Sequence, residues 1–396
     1  MTRSQARTDR RVPGVALAAG AATAGSLLGV GAGSLGAAAL FARRVLTPDR
    51  RRPDDARVVA VGDRDVLLTA TADTRVRGRF GLWLNGGTGH ARVGDILDVD
   101  PGSGLVRRVI ESVDSGSLHA GPVRWNTYYY WAAPDVSLGL ATQRVQFRAE
   151  VGGLDAWVVP PPGASPGADW AILVHGRGAR REETLRALHA LGRSQVTAVI
   201  PQYRNDEGAP AGPRGRYTLG VGEWRDLEAA MSYAIDHGAR RLILMGWSMG
   251  GAIVLQTLAR SELAAEVDKV VLDSPVVDWA DVLTHHARLH KVPSPIGALG
   301  QTLMGRPWGR HLVGVDDVID LASTDWVRRA DELATPILLI HSADDEFVPV
   351  GPSKALAHAR PDLVTFAEWT QARHCQEWNT DVERWESLVE GFIRET

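Results

Sequence analysis

Length, composition and charge describe a folded protein larger than one ordinary domain. The chain has 396 residues, of which 44% are hydrophobic and 23% are charged, and its formal net charge is -3. A disordered chain would carry fewer apolar residues, and a nucleic-acid-binding protein would carry an excess of basic ones. The single cysteine, Cys375, excludes an intramolecular disulfide and a cysteine-based zinc site. We therefore expect one large domain with an accessory lobe and no nucleic-acid partner.

Residues 1–46 predict a basic tail followed by a membrane-spanning segment. Residues 12–42 form a run of 31 positions without a charge, with arginine pairs on both sides. A run of this length can cross a bilayer as a helix. We expect a single-pass anchor in the cell membrane, with export after signal cleavage as the alternative. The arginines on the two sides do not decide the orientation.

A short linker and a small β-rich lobe are predicted to follow this segment. Residues 47–56, "TPDRRRPDDA", are charged and contain two prolines, which is typical of a linker. Residues 57–142 alternate short β-prone runs with turn sequences such as "DPGSG". The aromatic run 128–131, "YYYW", is interpreted as a strand with alternating burial, although it could also line a ligand site.

From residue 143 onward the pattern predicts a doubly wound, mostly parallel α/β sheet. Short apolar runs alternate with stretches of helical spacing, as expected of strands buried on both faces. Strands are predicted at 170–174, 196–200, 241–245, 269–272, 337–340 and 363–366, and helices at 181–193, 223–237, 250–263 and 381–394. Residues 276–333 interrupt this rhythm with mostly helical sequence, so we expect them to form a lid over the carboxyl edge of the sheet.

One serine lies where a predicted strand meets a predicted helix. The stretch "LMGWSMGGA" places Ser248 between Gly246 and Gly250. A strand, a tight turn with the pattern G-x-S-x-G and a helix are the parts of a nucleophile elbow. A side chain at either glycine would clash in so sharp a turn, so we expect both positions to require glycine.

A serine nucleophile needs a base and an acid, and the downstream sequence offers both. His374 follows the last predicted strand, and Asp344 and Asp345 follow the strand at 337–340. Asp273 or Asp278, after the strand at 269–272, could supply the acid instead, although a capping or turn role is expected for both.

Together these motifs resemble the α/β-hydrolase superfamily of serine hydrolases over residues 143–396. The matching motifs are "HGRG", "GWSMGG", "HSADDEFVP" and a late histidine, in that order. The resemblance implies a catalytic triad of Ser248, His374 and Asp345, which leaves Asp344 as an exposed loop residue. It also implies an oxyanion hole made by the backbone N–H groups of Arg177 and Met249. An arginine at 177 departs from the common pattern, so its guanidinium is expected to meet an acidic substrate or to form a surface ion pair.

Several other side chains have two interpretations. Tyr203, Arg204 and Trp247 are candidate walls of the substrate pocket, with core packing as the alternative for the tryptophan. His175, His341 and Cys375 are expected to be buried supports. The histidines at 285, 286 and 290 lack a fixed third ligand, so a solvated lid helix is preferred over a metal site.

The resulting hypothesis is a serine hydrolase that needs no metal or cofactor and cleaves an ester, thioester or amide through an acyl-enzyme. A carboxylesterase acting on a small ester is the first choice, and an oligopeptidase-type serine peptidase acting on a short peptide is the second. A membrane-tethered binding protein that keeps the fold without turnover is the non-catalytic alternative. The sequence predicts no oligomeric state.

Overall fold

The computed structural model describes residues 33–49, 52–163 and 169–395. These residues form an N-terminal helix, a six-stranded barrel and a large α/β unit, in that order along the chain. The helix, α1, covers residues 33–46. The barrel covers residues 56–126, and a connection with one short helix, α2 (Pro134–Ser137), leads from it to the α/β unit.

The β-rich lobe is a closed antiparallel barrel with the strand order β1-β2-β5-β4-β3-β6. Its strands are β1 (Ala56–Val61), β2 (Asp65–Thr69), β3 (Phe80–Leu84), β4 (Gly89–Asp100), β5 (Leu105–Ser115) and β6 (Gly121–Asn126). Closure pairs β1 with β6, which leaves no free sheet edge. The barrel has its own apolar core, which includes Phe80, Leu82 and Trp125.

The aromatic run 128–131 does not form a strand, contrary to the sequence-based interpretation. It lies in the turn that leaves the barrel, and Tyr128, Tyr129 and Tyr130 are all buried. The rings of Tyr129 and Tyr130 lie 5.6 and 5.9 Å from the ring of Trp378 in the α/β unit. The tyrosine rings of this run are therefore buried between the barrel and the α/β unit. They do not alternate between the two faces of a sheet.

The second sheet has eight strands in the order β14-β13-β12-β11-β9-β10-β8-β7. Its strands are β7 (Gln143–Ala149), β8 (Gly152–Val159), β9 (Asp169–Val174), β10 (Thr197–Pro201), β11 (Arg241–Trp247), β12 (Val267–Asp273), β13 (Ile337–Ser342) and β14 (Val364–Trp369). The six strands predicted from apolar runs coincide with β9 to β14, and all are parallel. Strand β8 runs antiparallel to both of its neighbours, β7 and β10. A tight hairpin joins it to β7.

Helices cover both faces of this sheet, which confirms the predicted doubly wound α/β architecture. They are α3 (Leu188–Arg193), α4 (Trp224–Asp236), α5 (Met249–Arg260), α6 (Trp279–Leu289), α7 (Ser294–Met304), α8 (Arg310–Val313), α9 (Gly351–Ala359), α10 (Glu377–Thr380) and α11 (Val382–Arg394). Helices α6, α7 and α8 lie within the predicted lid, residues 276–333.

Helix α1 contains the last residues of the predicted membrane-spanning segment. Ala38, Ala42 and Leu46, one helical turn apart, are fully buried and join the core of the α/β unit. In residues 33–49, 52–163 and 169–395, no helix combines the length and apolar character of a membrane span. Residues 12–32 of the predicted segment lie outside the described residues. The prediction of a transmembrane helix therefore gains no support from the described residues, and Ala38 and Ala42 of the predicted segment pack on the α/β unit.

Candidate active site

The strand-to-helix turn at Ser248 has the geometry of a nucleophile elbow. Ser248 joins β11 to α5 with φ 52° and ψ -117°, a backbone conformation that non-glycine residues rarely adopt. A Cβ atom at Gly246 would lie 2.6 Å from the backbone of Gly250, and one at Gly250 would lie 2.1 Å from the carbonyl oxygen of Val174. Both contacts are impossible for a side chain, which confirms the expectation that both positions need glycine.

The structure brings Ser248, His374 and Asp345 into one hydrogen-bonded chain. His374 Nε2 lies 2.9 Å from Ser248 Oγ, and His374 Nδ1 lies 2.7 Å from Asp345 Oδ2. An ionised carboxylate can only accept, so the imidazole proton lies on Nδ1. Nε2 is then free to accept the hydroxyl proton of Ser248. This is the arrangement that a general base needs.

Surrounding groups hold Asp345 in its ionised form. The backbone N–H groups of Phe347 and Val348 each donate to Oδ1 at 2.8 Å, and His341 Nε2 lies 3.2 Å from Oδ2. Burial alone would raise the pKa of Asp345, but the neighbouring His374 and His341 outweigh it and leave the pKa well below its usual range. Burial likewise lowers the pKa of His374, and Asp345 more than reverses this, so the pKa of the imidazole is raised.

The other candidate acids lie elsewhere. Asp344 accepts a hydrogen bond from the backbone N–H of Gln371. Asp273 is buried and accepts from Trp385 Nε1 at 2.8 Å. Asp278 caps helix α6 through the backbone N–H of Ala280. Of the four aspartates that the sequence offered, Asp345 is the one that contacts the imidazole of His374.

The loop after β9, residues 175–178, is called the oxyanion loop below and has the sequence HGRG. The backbone N–H of Gly176 donates to Glu183 Oε2 at 2.7 Å, and a Cβ atom at Gly176 would lie 3.1 Å from Cβ of Ser248. The loop therefore lies directly beside the serine. On the other side, Met249 is the first residue of α5, so its backbone N–H has no acceptor within the helix.

The guanidinium of Arg177 does neither of the two things that the sequence suggested. Among the described residues it forms no ion pair, and it donates instead to backbone carbonyl oxygens of the N-terminal segment. Nε donates to Val45 at 2.7 Å, and one terminal nitrogen donates to Thr47 at 2.8 Å and to Arg44 at 3.2 Å. The sequence could not reveal this contact, since 130 residues separate the partners.

The three residues proposed from sequence as pocket walls are buried, with exposed fractions of 3% for Tyr203, 5% for Arg204 and 1% for Trp247. Tyr203 donates its hydroxyl proton to the carbonyl oxygen of Gly176 at 2.9 Å and so supports the oxyanion loop. Arg204 forms a two-pronged ion pair with Asp226. Trp247 packs on Trp385 in the core. All three side chains thus pack inside the protein, and their role as walls of a substrate pocket stays a prediction.

The expected supporting histidines are buried, and each contacts a carboxylate. His175 Nε2 lies 2.9 Å from Asp206 Oδ2, and His341 Nε2 lies 3.2 Å from Asp345 Oδ2. Cys375 is buried beside the triad, with its Sγ 3.6 Å from His374 Nε2. Burial raises the pKa of this thiol well above its usual value, so the thiolate is disfavoured.

One residue next to the triad was missed by the sequence reasoning. The ring of Phe347 lies 5.0 Å from the imidazole of His374 and is 44% exposed. Lid helix α6 contacts the same loop, because His286 Nε2 bonds to the carbonyl oxygen of Phe347 at 2.9 Å and His285 Nε2 to that of Glu346 at 2.8 Å. Burial lowers the pKa of His286 to about 4. His285 and His286 thus tie α6 to the loop that carries Asp345.

The barrel also contacts the loop of His374, which the sequence did not indicate. Arg373, next to His374, pairs with Asp73 of the barrel at 2.6 Å and also with Glu346. Asn379 Nδ2 donates to the carbonyl oxygens of Arg79 at 2.6 Å and Thr127 at 2.9 Å. The loop that carries the histidine is therefore braced against the barrel.

A cavity of about 400 Å³ lies where the barrel, the N-terminal segment and the α/β unit meet. Trp83, Arg124, Arg180 and Tyr217 contribute to its walls, and Gly178 connects it to the oxyanion loop. None of the three triad residues lines it. It is thus a neighbour of the candidate active site and does not contain the nucleophile.

Comparison with known proteins gives matches for both units of the chain. An alpha/beta hydrolase family matches residues 171–391, and a family described as a domain of unknown function, DUF8805, matches residues 57–126, which span the barrel. No curated protein matches the chain.

Three of the solved structures that match this chain are the following. The esterase Pf2001 of Pyrococcus furiosus is 18% identical, with a TM-score of 0.51 over 66% of this chain and 94% of its own. Est1E of Butyrivibrio proteoclasticus is 15% identical, with a TM-score of 0.46 over 63% of this chain and 97% of its own. The esterase domain of a Rhodothermus marinus protein is 21% identical, with a TM-score of 0.43 over 64% of this chain and 98% of its own. At such identities the likeness to Pf2001 establishes a shared fold.

Proposed function

Since the chain belongs to the alpha/beta hydrolase family, we propose that it is a serine hydrolase that cleaves carboxylic esters through an acyl-enzyme. The observation that carries this proposal is the continuous hydrogen-bonded chain from Ser248 Oγ through His374 to Asp345, on a strained elbow between strand and helix. Strained backbone of this kind persists only where the surrounding structure imposes it, and it clusters at functional sites.

Each group has a chemical role in the proposed reaction. Ser248 Oγ attacks the ester carbonyl carbon while His374 Nε2 takes the hydroxyl proton. The charge on the carbonyl oxygen is stabilised by the backbone N–H groups of Arg177 and Met249 and by the N-terminus of α5. His374 then protonates the leaving alcohol, and the acyl group remains on Ser248. Water, deprotonated by the same imidazole, releases the acid and restores the hydroxyl.

Asp345 acts through the imidazole. Its buried carboxylate fixes the Nδ1–H tautomer and stabilises the imidazolium that forms during each proton transfer. Two backbone N–H groups and His341 hold the carboxylate in place. The exposed ring of Phe347 beside His374 offers an apolar surface at the reacting centre, which favours a substrate with an apolar acyl or alcohol part.

An ester is proposed over an amide because the similar fold of Pf2001 belongs to an esterase. The peptidase and the non-catalytic binding protein become outcomes of one experiment. The purified protein is assayed with p-nitrophenyl esters from acetate to dodecanoate and with matched p-nitroanilides. We expect ester hydrolysis to exceed anilide hydrolysis.

The variant Ser248→Ala should reduce ester turnover by about 10⁴-fold or more, because it removes the nucleophile. Ser261→Ala is the control, since Ser261 lies at the other end of α5 and caps the following turn. This control should keep wild-type turnover. Faster anilide cleavage would replace the esterase with a peptidase, and no turnover of either substrate class would favour the binding protein.

A further inference from the structure

The side chain of Arg177 connects the oxyanion loop to the end of helix α1. Its guanidinium donates three hydrogen bonds, to the carbonyl oxygens of Arg44, Val45 and Thr47. The last carbonyl groups of a helix lack partners within the helix and carry partial negative charge, so a guanidinium is a favourable cap. The planar fork of an arginine presents five N–H donors in fixed directions, so it can bond to several such oxygens at once.

The next residue of the loop depends on the same N-terminal segment. Arg52 donates to the carbonyl oxygen of Gly178 at 2.7 Å, and the backbone N–H of Gly178 donates to the hydroxyl oxygen of Tyr217 at 3.1 Å. Tyr217 in turn donates its backbone N–H to the carbonyl oxygen of Leu46 at 2.9 Å. Both residues of the Arg177–Gly178 peptide are therefore held by the N-terminal segment, through residues 44–47 and Arg52.

Helix α1 is itself firmly placed on the α/β unit. Ala38, Ala42 and Leu46 are fully buried in its core, and Arg43 Nε donates to the carbonyl oxygen of Leu312 in the lid region at 2.7 Å. The opposite face of the helix is in solvent, with Leu40 68% exposed. Packing thus fixes the position of α1. The hydrogen bonds of Arg177 connect the oxyanion loop to this fixed helix.

We propose that α1, Thr47 and Arg52 are part of the active site, and that the Arg177 side chain is a positioning residue that sets the backbone N–H of the oxyanion hole. This inference rests on the proposed function. An oxyanion hole must match the transition state closely, because a displacement of about 1 Å can cost about a hundredfold in rate. Losing the contact to α1 should therefore lower kcat with little change in KM.

The first test compares Arg177→Ala, Arg177→Lys and Arg180→Ala in the full chain. Arg180 is the matched control, because it lies in the same segment and its ion pair with Glu207 is exposed on both sides. We expect Arg177→Ala to lower kcat for ester hydrolysis about tenfold to a hundredfold, and Arg177→Lys to recover part of the loss. Arg180→Ala should keep wild-type kcat. Equal kcat for Arg177→Ala and Arg180→Ala would overturn the inference.

The second test moves α1 without changing the loop. Ala42→Glu places a charge on the fully buried face of α1, whereas Leu40→Glu places the same charge on its exposed face. We expect Ala42→Glu to lower kcat as Arg177→Ala does, Leu40→Glu to have no effect, and the double variant Ala42→Glu with Arg177→Ala to be no slower than the slower single variant. If the double variant instead lowered kcat by the product of the two single-variant factors, α1 and Arg177 would act independently, which would contradict the inference.

The two proposals fail in different ways. A wild-type protein that hydrolyses no ester overturns the proposed function and this inference with it. An active wild type with an unimpaired Arg177→Ala variant overturns this inference alone. If Ala42→Glu does not fold, as judged by circular dichroism, the three loop variants still decide the matter.

Discussion

His374 lies between a buried carboxylate and the hydroxyl of Ser248, and this position determines how activity should depend on pH. Burial lowers the pKa of His374, whereas Asp345 raises it more, so the pKa lies above the ordinary 6.5. A general base must be neutral to take a proton, so we expect activity above this pKa and a loss of activity as the pH falls through it. We expect the acidic limb of kcat/KM to have its midpoint above pH 6.5.

Replacing Asp345 with asparagine tests the cause of that shift. The charge that raises the pKa of His374 is removed while burial stays, so the acidic limb should move to lower pH. The side-chain amide also donates to Nδ1 and favours the wrong tautomer, so kcat should fall on the order of 10⁴-fold. Asp344→Asn is the control, because Asp344 bonds to the backbone of Gln371 and not to the imidazole. An acidic limb that stays in place in Asp345→Asn would rule out Asp345 as its source.

At the scale of elements, the barrel and the α/β unit are joined at the loop that carries the catalytic histidine. Asn379 is buried in α10, donates to the barrel carbonyls of Arg79 and Thr127, and accepts from Arg186 at 3.0 Å. A Cβ atom at Gly78 of the barrel would lie 1.9 Å from the carbonyl oxygen of Asn379, so the two backbones are in direct contact. The barrel thus contacts the loop of His374 at Arg373 and at Asn379.

Asn379→Ala should weaken this junction. Two barrel carbonyls would lose this partner, whereas the Arg186 nitrogen keeps its bond to the carbonyl oxygen of Cys375. Each buried group left unsatisfied costs about 1–3 kcal/mol. We expect the free energy of unfolding, measured with urea, to fall by about 2–5 kcal/mol in total. The control Asn85→Ala changes an asparagine at the rim of the barrel that is exposed to solvent. A loss no larger than that of the control would mean that the junction contributes little.

The sequence predicted the elements whose pattern is local. The strands β9 to β14 are short apolar runs, and the elbow at Ser248 is marked by its glycines, so both could be predicted without a structure. Asp345 could be separated from Asp344 only through the family resemblance, since both follow the same strand. What could not be predicted depends on contacts between distant segments.

Three particular features belong to this second kind. The buried aromatic run 128–131 looks like a strand because apolar content is the same for a strand and for a packed turn. The uncharged run that includes Ala38 and Ala42 suits a membrane and a protein core equally well. The partners of the Arg177 guanidinium could not be predicted from the sequence. They are the backbone carbonyl oxygens of residues 44, 45 and 47, and every residue type has such an oxygen.

At the scale of the whole molecule, three parts of the chain converge on one site. The α/β unit supplies Ser248, Asp345 and His374 from the carboxyl edge of its sheet. The barrel braces the loop of His374, and helix α1 holds the oxyanion loop through Arg177. The accessory parts therefore contact the catalytic loops directly, so their removal should affect catalysis and not only stability.

The proposed role of Ser248 as the nucleophile can be tested with a fluorophosphonate, whose covalent adduct is located by mass spectrometry. Cys375 is the local competitor, because its sulfur lies 3.6 Å from the same imidazole nitrogen. We expect one adduct per chain, on the peptide that contains Ser248, and no adduct in Ser248→Ala. An adduct on Cys375, or labelling that persists in Ser248→Ala, would contradict it.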